Sequence, residues 1–135
     1  MRLVKFVSMI LVVLALLGIP FAAPSSAQVL SCTLSLSGPF LSNTTILGIS
    51  GKNVSASSSA NCNASSPSLT LVVGVHAVGT GMSGWNPYTS QNASSISGGV
   101  SAGMAGPAVC YFADASLTPA GGEPGYVRSP CYTGE

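Results

Sequence analysis

Gly99-Val100-Ser101-Ala102-Gly103 spells G-x-S-x-G, the pattern that exposes a serine nucleophile, and His76 with Asp114 would nominally complete a Ser-His-Asp triad. The pattern belongs to a strand-to-helix turn in a large α/β sheet, in the order Ser, acid, His. Here the chain is short and His76 precedes Ser101. Ser101 fits equally well on the polar face of a strand with Val100 and Ala102 turned inward. Gly79, Gly81 and Gly84 form G-T-G-M-S-G after an apolar run, the spacing of a dinucleotide-binding loop. That loop hands its pyrophosphate to a helix N-terminus, and Trp85, Asn86 and Pro87 follow instead. Asp114 and Glu123 could be proposed as a glycosidase pair, but Glu123 lies between Gly122 and Pro124 in a turn, where nothing aims it at a partner acid. The expectation is a non-enzymatic protein with no cofactor.

Binding chemistry is narrowed by charge. The chain has 135 residues, of which four are Lys or Arg and three Asp or Glu. Arg2 and Lys5, the apolar run from Phe6 to Ile19, Pro20 and the small residues around Ala27 have the order of a secretory signal peptide. Ser25 and Ala27 occupy the −3 and −1 positions, so cleavage is expected after Ala27, leaving a single domain over 28–135. The apolar run falls short of the roughly 20 residues that span a bilayer. The mature segment then holds Lys52 and Arg128 against Asp114, Glu123 and Glu135. Two separated cations cannot form the basic patch that nucleic acid or an anionic membrane requires, so neither is an expected partner.

Export places Cys32, Cys62, Cys110 and Cys131 in an oxidising compartment, where they read as two disulfides. Of three connectivities, Cys32–Cys62 with Cys110–Cys131 is preferred because sequential pairing joins neighbouring strands without a crossing. No two cysteines have half-site spacing for zinc and only His76 could assist, so no metal is expected.

The elements that must position these residues are strands. Leu30, Cys32, Leu34 and Leu36 alternate with Ser31, Thr33, Ser35 and Ser37, a half-buried strand that Gly38 and Pro39 should end. A second strand is expected within 44–50, followed by a turn at Gly51, Lys52 and Asn53 and a small-residue edge strand or close sheet contact over 54–62. The strongest strand is 68–78, with Leu69, Leu71, Val73, Val75 and Ala77 on one face and Thr70, Val72, Gly74, His76 and Val78 on the other; it should be central and buried on both sides. Residues 79–88 read as a loop, 94–102 and 108–113 as strands, and 126–132 as a short last strand broken by Pro130. No amphipathic helical repeat appears in 28–135. The fold class predicted is all-β, a small disulfide-stabilised β-sandwich of immunoglobulin-like architecture behind a helical signal peptide.

Aromatic residues are the better functional candidates, since they offer a rigid face that stacks on sugar rings or anchors a protein partner. Trp85 and Tyr88 in the 79–88 loop are the expected ligand-binding residues. Tyr111, Phe112, Tyr126 and Tyr132 cluster near the C-terminal cysteines. Sequons at Asn43, Asn53, Asn63 and Asn92 would carry N-glycans in a eukaryotic host. The function predicted is a secreted, extracellular binding module for a protein or carbohydrate. The alternative is a cell-surface protein that self-assembles through Leu69 to Val75; a small serine hydrolase or a protease inhibitor ranks below both.

Overall fold

The computed structural model describes residues 28–134, so the expected signal peptide, 1–27, and Glu135 lie outside the described residues. Five strands follow one another: β1 (Cys32–Ile46), β2 (Ile49–Val78), β3 (Met82–Ala105), β4 (Cys110–Pro119) and β5 (Gly125–Arg128). The ladders between these five strands are all antiparallel, and the strands form one open, curled sheet rather than two separate ones. β3 follows β2 along one edge. The opposite edge of β2 is shared: β1 takes its first half and β4 its second, and β5 continues the sheet beyond β4.

The curl comes from bulges where the sequence suggests breaks. Gly38–Pro39, a cis peptide, does not end β1. It sits at the register shift between Ser37 and Phe40, where Gly38 takes a φ of +113° and packs so closely that a Cβ would lie 2.9 Å from the Ser55 carbonyl oxygen. An inserted residue in such a conformation bends a strand without ending it. The chain reverses instead at Leu47-Gly48, with φ of 50° and 80°, the two positive values of a two-residue hairpin. The turn expected at Gly51–Asn53 is therefore strand, paired on one side to Thr44, Asn43 and Ser42 and on the other to Ala105, Met104 and Gly103.

A second register shift lies between Asn61 and Ser66, and just beyond it the two faces of β2 exchange. Up to the exchange the buried residues are Val54, Ala56, Ser58, Ala60 and Ser66; after it they are Leu69, Leu71, Val73, Val75 and Ala77. A one-residue change of phase does this because side chains alternate with period two. β3 bends at the same level, where Asn92 has a φ of 49°. The apolar faces of the two halves thus close on a single core, completed by Ile96, Val100, Met104, Tyr111, Ala113, Ala115 and Leu117. At the bend the buried Ser66 hydroxyl lies 2.8 Å and 2.9 Å from the carbonyls of Ser68 and Ala120.

Residues 54–62 are not an edge: they run between β1 and β3, and small side chains let the facing half approach. Residues 68–78 are central, but only the Leu69 face is sealed. On the other face Thr70, Val72 and His76 are half-buried and Val78 is exposed. Cys32 and Cys62 face each other across the β1–β2 ladder and are bonded; Cys110 is bonded to Cys131.

Candidate functional site

The loop expected over 79–88 shrinks to a turn of Gly79, Thr80 and Gly81, and β3 begins at Met82. G-T-G-M-S-G is thus a hairpin turn, latched by Thr80, whose hydroxyl donates to the Ala77 carbonyl and accepts from the Met82 N–H, both at 3.1 Å. Trp85 and Tyr88 are strand residues three apart, so they project from opposite faces of β3. The structure does not bring them together.

Residues directly opposite in an antiparallel ladder share a face, which assembles the outer surface of the second half of the sheet. One row across four strands is Trp85, Gly74, Asp114 and Arg128. The next holds Ser83, His76 and Phe112; the row on the other side holds Pro87, Val72, Ser116 and Tyr126. Asp114 is the hub: His76 Nε2 lies 3.1 Å from Oδ1, and the Tyr126 hydroxyl donates to Oδ2 at 3.2 Å. The His76 ring stacks on Phe112 with centroids 4.5 Å apart, and the Arg128 guanidinium carbon sits 3.7 Å from the Phe112 centroid, a cation–π contact. Gly74 makes the room, for a Cβ there would overlap Asp114 Oδ1 and lie 3.0 Å from His76 Nε2. Trp85 and Tyr126 stand well out of the surface, each 64% exposed.

Partial desolvation first, then the Asp114 charge and hydrogen bond, raise the Tyr126 hydroxyl above its ordinary pKa; Arg128 pulls weakly the other way. The neutral phenol is the favoured form in the folded state. Its contribution to stability is fully present below the unfolded tyrosine value of about 10 and is lost as pH rises through the higher folded value. In an ultraviolet absorbance titration, the component missing from Tyr126→Phe should therefore appear above the ordinary range and move down in Asp114→Asn. An unmoved component would mean that Asp114 does not hold this hydroxyl.

The other sequence candidates are dispersed. The Tyr88 hydroxyl bridges Gly99, accepting from its N–H at 3.0 Å and donating to its carbonyl, and Asn86 Nδ2 donates to the same carbonyl at 3.2 Å. Tyr88 also lines a cleft of about 550 Å³ with Ser59, Asn61, Ser90, Ser95 and Ser97. Ser101 lies opposite Ser55 on the outer face of the first half, its hydroxyl 3.2 Å from Asn53 Oδ1, so it does not join the His76–Asp114 pair. Ser83 lies across the ladder from His76, and among the described residues no hydrogen bond links them. Glu123 is exposed in the β4–β5 connection, away from the Asp114 hub. Among the described residues no third His, Cys, Asp or Glu joins His76 and Asp114 in a metal-binding group.

The sequons differ in access. Asn92 and Asn43 are exposed, Asn43 accepting from Lys52 Nζ at 2.7 Å. Asn53 is half-buried. Asn63 clasps the N-terminal segment, its Nδ2 donating to the Val29 carbonyl at 3.0 Å and its Oδ1 accepting from the Ser31 N–H at 2.9 Å.

Asp114, Tyr126 and Arg128 were not connected to Trp85 by sequence reasoning. A signal existed in the parity of β4, where Tyr111, Ala113, Ala115 and Leu117 are buried and Phe112, Asp114 and Ser116 alternate with them. A charged residue in such an alternation must face outward. Compared with family models, curated proteins and solved structures, the chain matches none.

Proposed function

We propose that the protein is a secreted, non-enzymatic binding module that holds an extracellular carbohydrate on the outer face of β2 to β5. The observation that carries this is Trp85, 64% exposed in a strand of the sheet and in the same cross-strand row as Asp114 and Arg128. A large exposed indole beside fixed donors and acceptors suits a sugar ring, which has an apolar face to stack and hydroxyls to bind. The signal-peptide order of the N-terminal residues supports export, and two disulfides are compatible with an oxidising compartment. The curled sheet acts here as an immunoglobulin-like sandwich does, as a stiff scaffold for surface residues.

Affinity electrophoresis of the oxidised protein through gels containing cell-wall and extracellular polysaccharides tests this. At least one polysaccharide should retard it, and Trp85→Ala should weaken that interaction by about 30-fold, the effect of losing a central aromatic anchor. Retardation by none, or by the variant as strongly, rejects the reading.

One observation favours a second reading, self-assembly. β3 pairs only with β2 among the described residues, and its 24 residues contain no charged side chain to discourage pairing with another copy. The segment 69–75 is occupied along both edges by β3 and β4, so assembly would proceed through β3. Sedimentation of the same samples as a function of concentration separates the two readings.

A further inference from the structure

Arg128 faces Asp114 directly across the β4–β5 ladder, yet among the described residues its guanidinium makes no salt bridge to that carboxylate, which contacts His76 instead. The reason lies in the hub. Both Asp114 oxygens already have donors, His76 on Oδ1 and Tyr126 on Oδ2. The guanidinium rests over Phe112 instead, and none of its N–H groups meets an acceptor among the described residues. Stacking fixes the plane of a guanidinium and leaves its donors around the rim, the geometry that accepts a carboxylate through two parallel hydrogen bonds. The fork is therefore positioned, charged and unoccupied by any described residue, on the same face as an exposed indole.

Resting on the carbohydrate reading above, we infer that the ligand is an acidic oligosaccharide, with a uronate carboxylate on Arg128 and a neighbouring sugar ring on Trp85. The distance sets a minimum length. Phe112 draws the guanidinium over β4, two inter-strand spacings or about 10 Å from β3, so a single sugar ring does not reach from the indole to the fork. Discrimination comes from one bidentate contact rather than from a field of positive charge, as a segment with only Lys52 and Arg128 for cations requires. His76 contributes through Phe112 and Asp114: its ring and the guanidinium share Phe112, and its bond to Oδ1 helps keep that carboxylate from capturing Arg128.

The test is calorimetric titration of the full oxidised protein with oligomers of galacturonate, alginate and hyaluronan, each beside its carboxyl-reduced, neutral form. At least one acidic oligomer should bind about tenfold or more tightly than its reduced counterpart. Arg128→Gln should abolish that preference and leave binding of the reduced form intact, which also shows that the variant is folded. Arg128→Lys, keeping the charge but not the fork, should lose most of it, and Phe112→Leu should lower it by freeing the guanidinium. Trp85→Ala should weaken both forms together. Equal affinity for acidic and reduced forms, or an unchanged preference in Arg128→Gln, overturns the carboxylate inference while the carbohydrate reading stands. Binding of none of the six probes overturns the inference, and the electrophoresis above then decides the carbohydrate reading separately.

Discussion

Replacing Cys110 and Cys131 by serine should cost the protein about 3 kcal/mol and its ligand together, whereas replacing Cys32 and Cys62 should cost about as much and leave binding in place. The energetic part is similar because the bridged residues are 21 and 30 apart in sequence, and the closure entropy removed from the unfolded chain grows only slowly with loop length. Against a total of about 5 to 15 kcal/mol for a small domain, either loss is severe. The functional part differs because of what each bridge holds. Cys32–Cys62 joins strands that stay paired from Thr33 to Ser37 and from Phe40 to Ile46, on the half of the sheet remote from the hub. Cys110–Cys131 anchors the segment that follows β5, a four-residue strand that among the described residues pairs only with β4 and that carries both Tyr126 and Arg128. Beyond the bridge this segment is tied by the reciprocal Tyr111–Tyr132 backbone bonds, both 2.8 Å, and by the Ser129 hydroxyl, which accepts from the Ala113 N–H at 3.0 Å. Urea denaturation with calorimetric titration checks both parts. Full ligand affinity in the Cys110/Cys131 variant would show that β5 needs no covalent anchor and that the face is organised from β2 and β4 alone.

How far the sequence could lead is decided by bulges. Alternation over 30–37 and 68–78 locates the hydrophobic faces correctly, because within an unbroken strand the two-residue period is preserved. Where an extra residue enters, the phase flips and the pattern reads as an ending, which is why Gly38–Pro39 suggests a stop and is a bend. Gly51–Asn53 and Asn86–Pro87 mislead for a related reason. Turn-forming residues mark a reversal only when neither neighbouring strand needs them. Pro87, on an edge strand, is tolerated because a strand at the edge has one side where no ladder hydrogen bond is made. The true β1–β2 reversal uses Leu47, a residue with no turn preference. The candidate site was less legible than the fold, since it depends on register. His76 and Asp114 are 38 residues apart and meet because β4 pairs with β2 so that Gly74 lies opposite Asp114. A shift of that ladder by one residue would send Asp114 to the core face, and periodicity within either strand carries no information about the offset between them.

The curl that the bulges introduce should be held closed in part by one contact inside β3, between Tyr88 and Gly98. The two residues lie ten apart in a strand that would hold them far from each other if straight, yet a Cβ on Gly98 would overlap the Tyr88 ring, and the Tyr88 hydroxyl spans the Gly99 peptide groups. Tyr88 thus reaches from the second half of the sheet to the first, at the rim of the core. Gly98→Ala should cost about 2 kcal/mol because the added methyl meets an aromatic ring whose far end is held by two hydrogen bonds, so neither partner yields without breaking something. Tyr88→Phe keeps the ring and the overlap and should cost about 1 kcal/mol for the lost hydroxyl. The decisive comparison is the cycle. In a Tyr88→Ala background the space above Gly98 is empty, and Gly98→Ala should become close to neutral, giving a coupling of about 2 kcal/mol. Strict additivity of the two substitutions in urea denaturation would place the ring elsewhere and leave the closure of the sheet to the apolar faces alone. A measured coupling would instead identify the clamp that holds the halves together, and with it the reason that Tyr88 and Trp85, three residues apart, serve different ends: one faces inward to keep the sheet curled, the other faces outward on the surface that the curl keeps rigid.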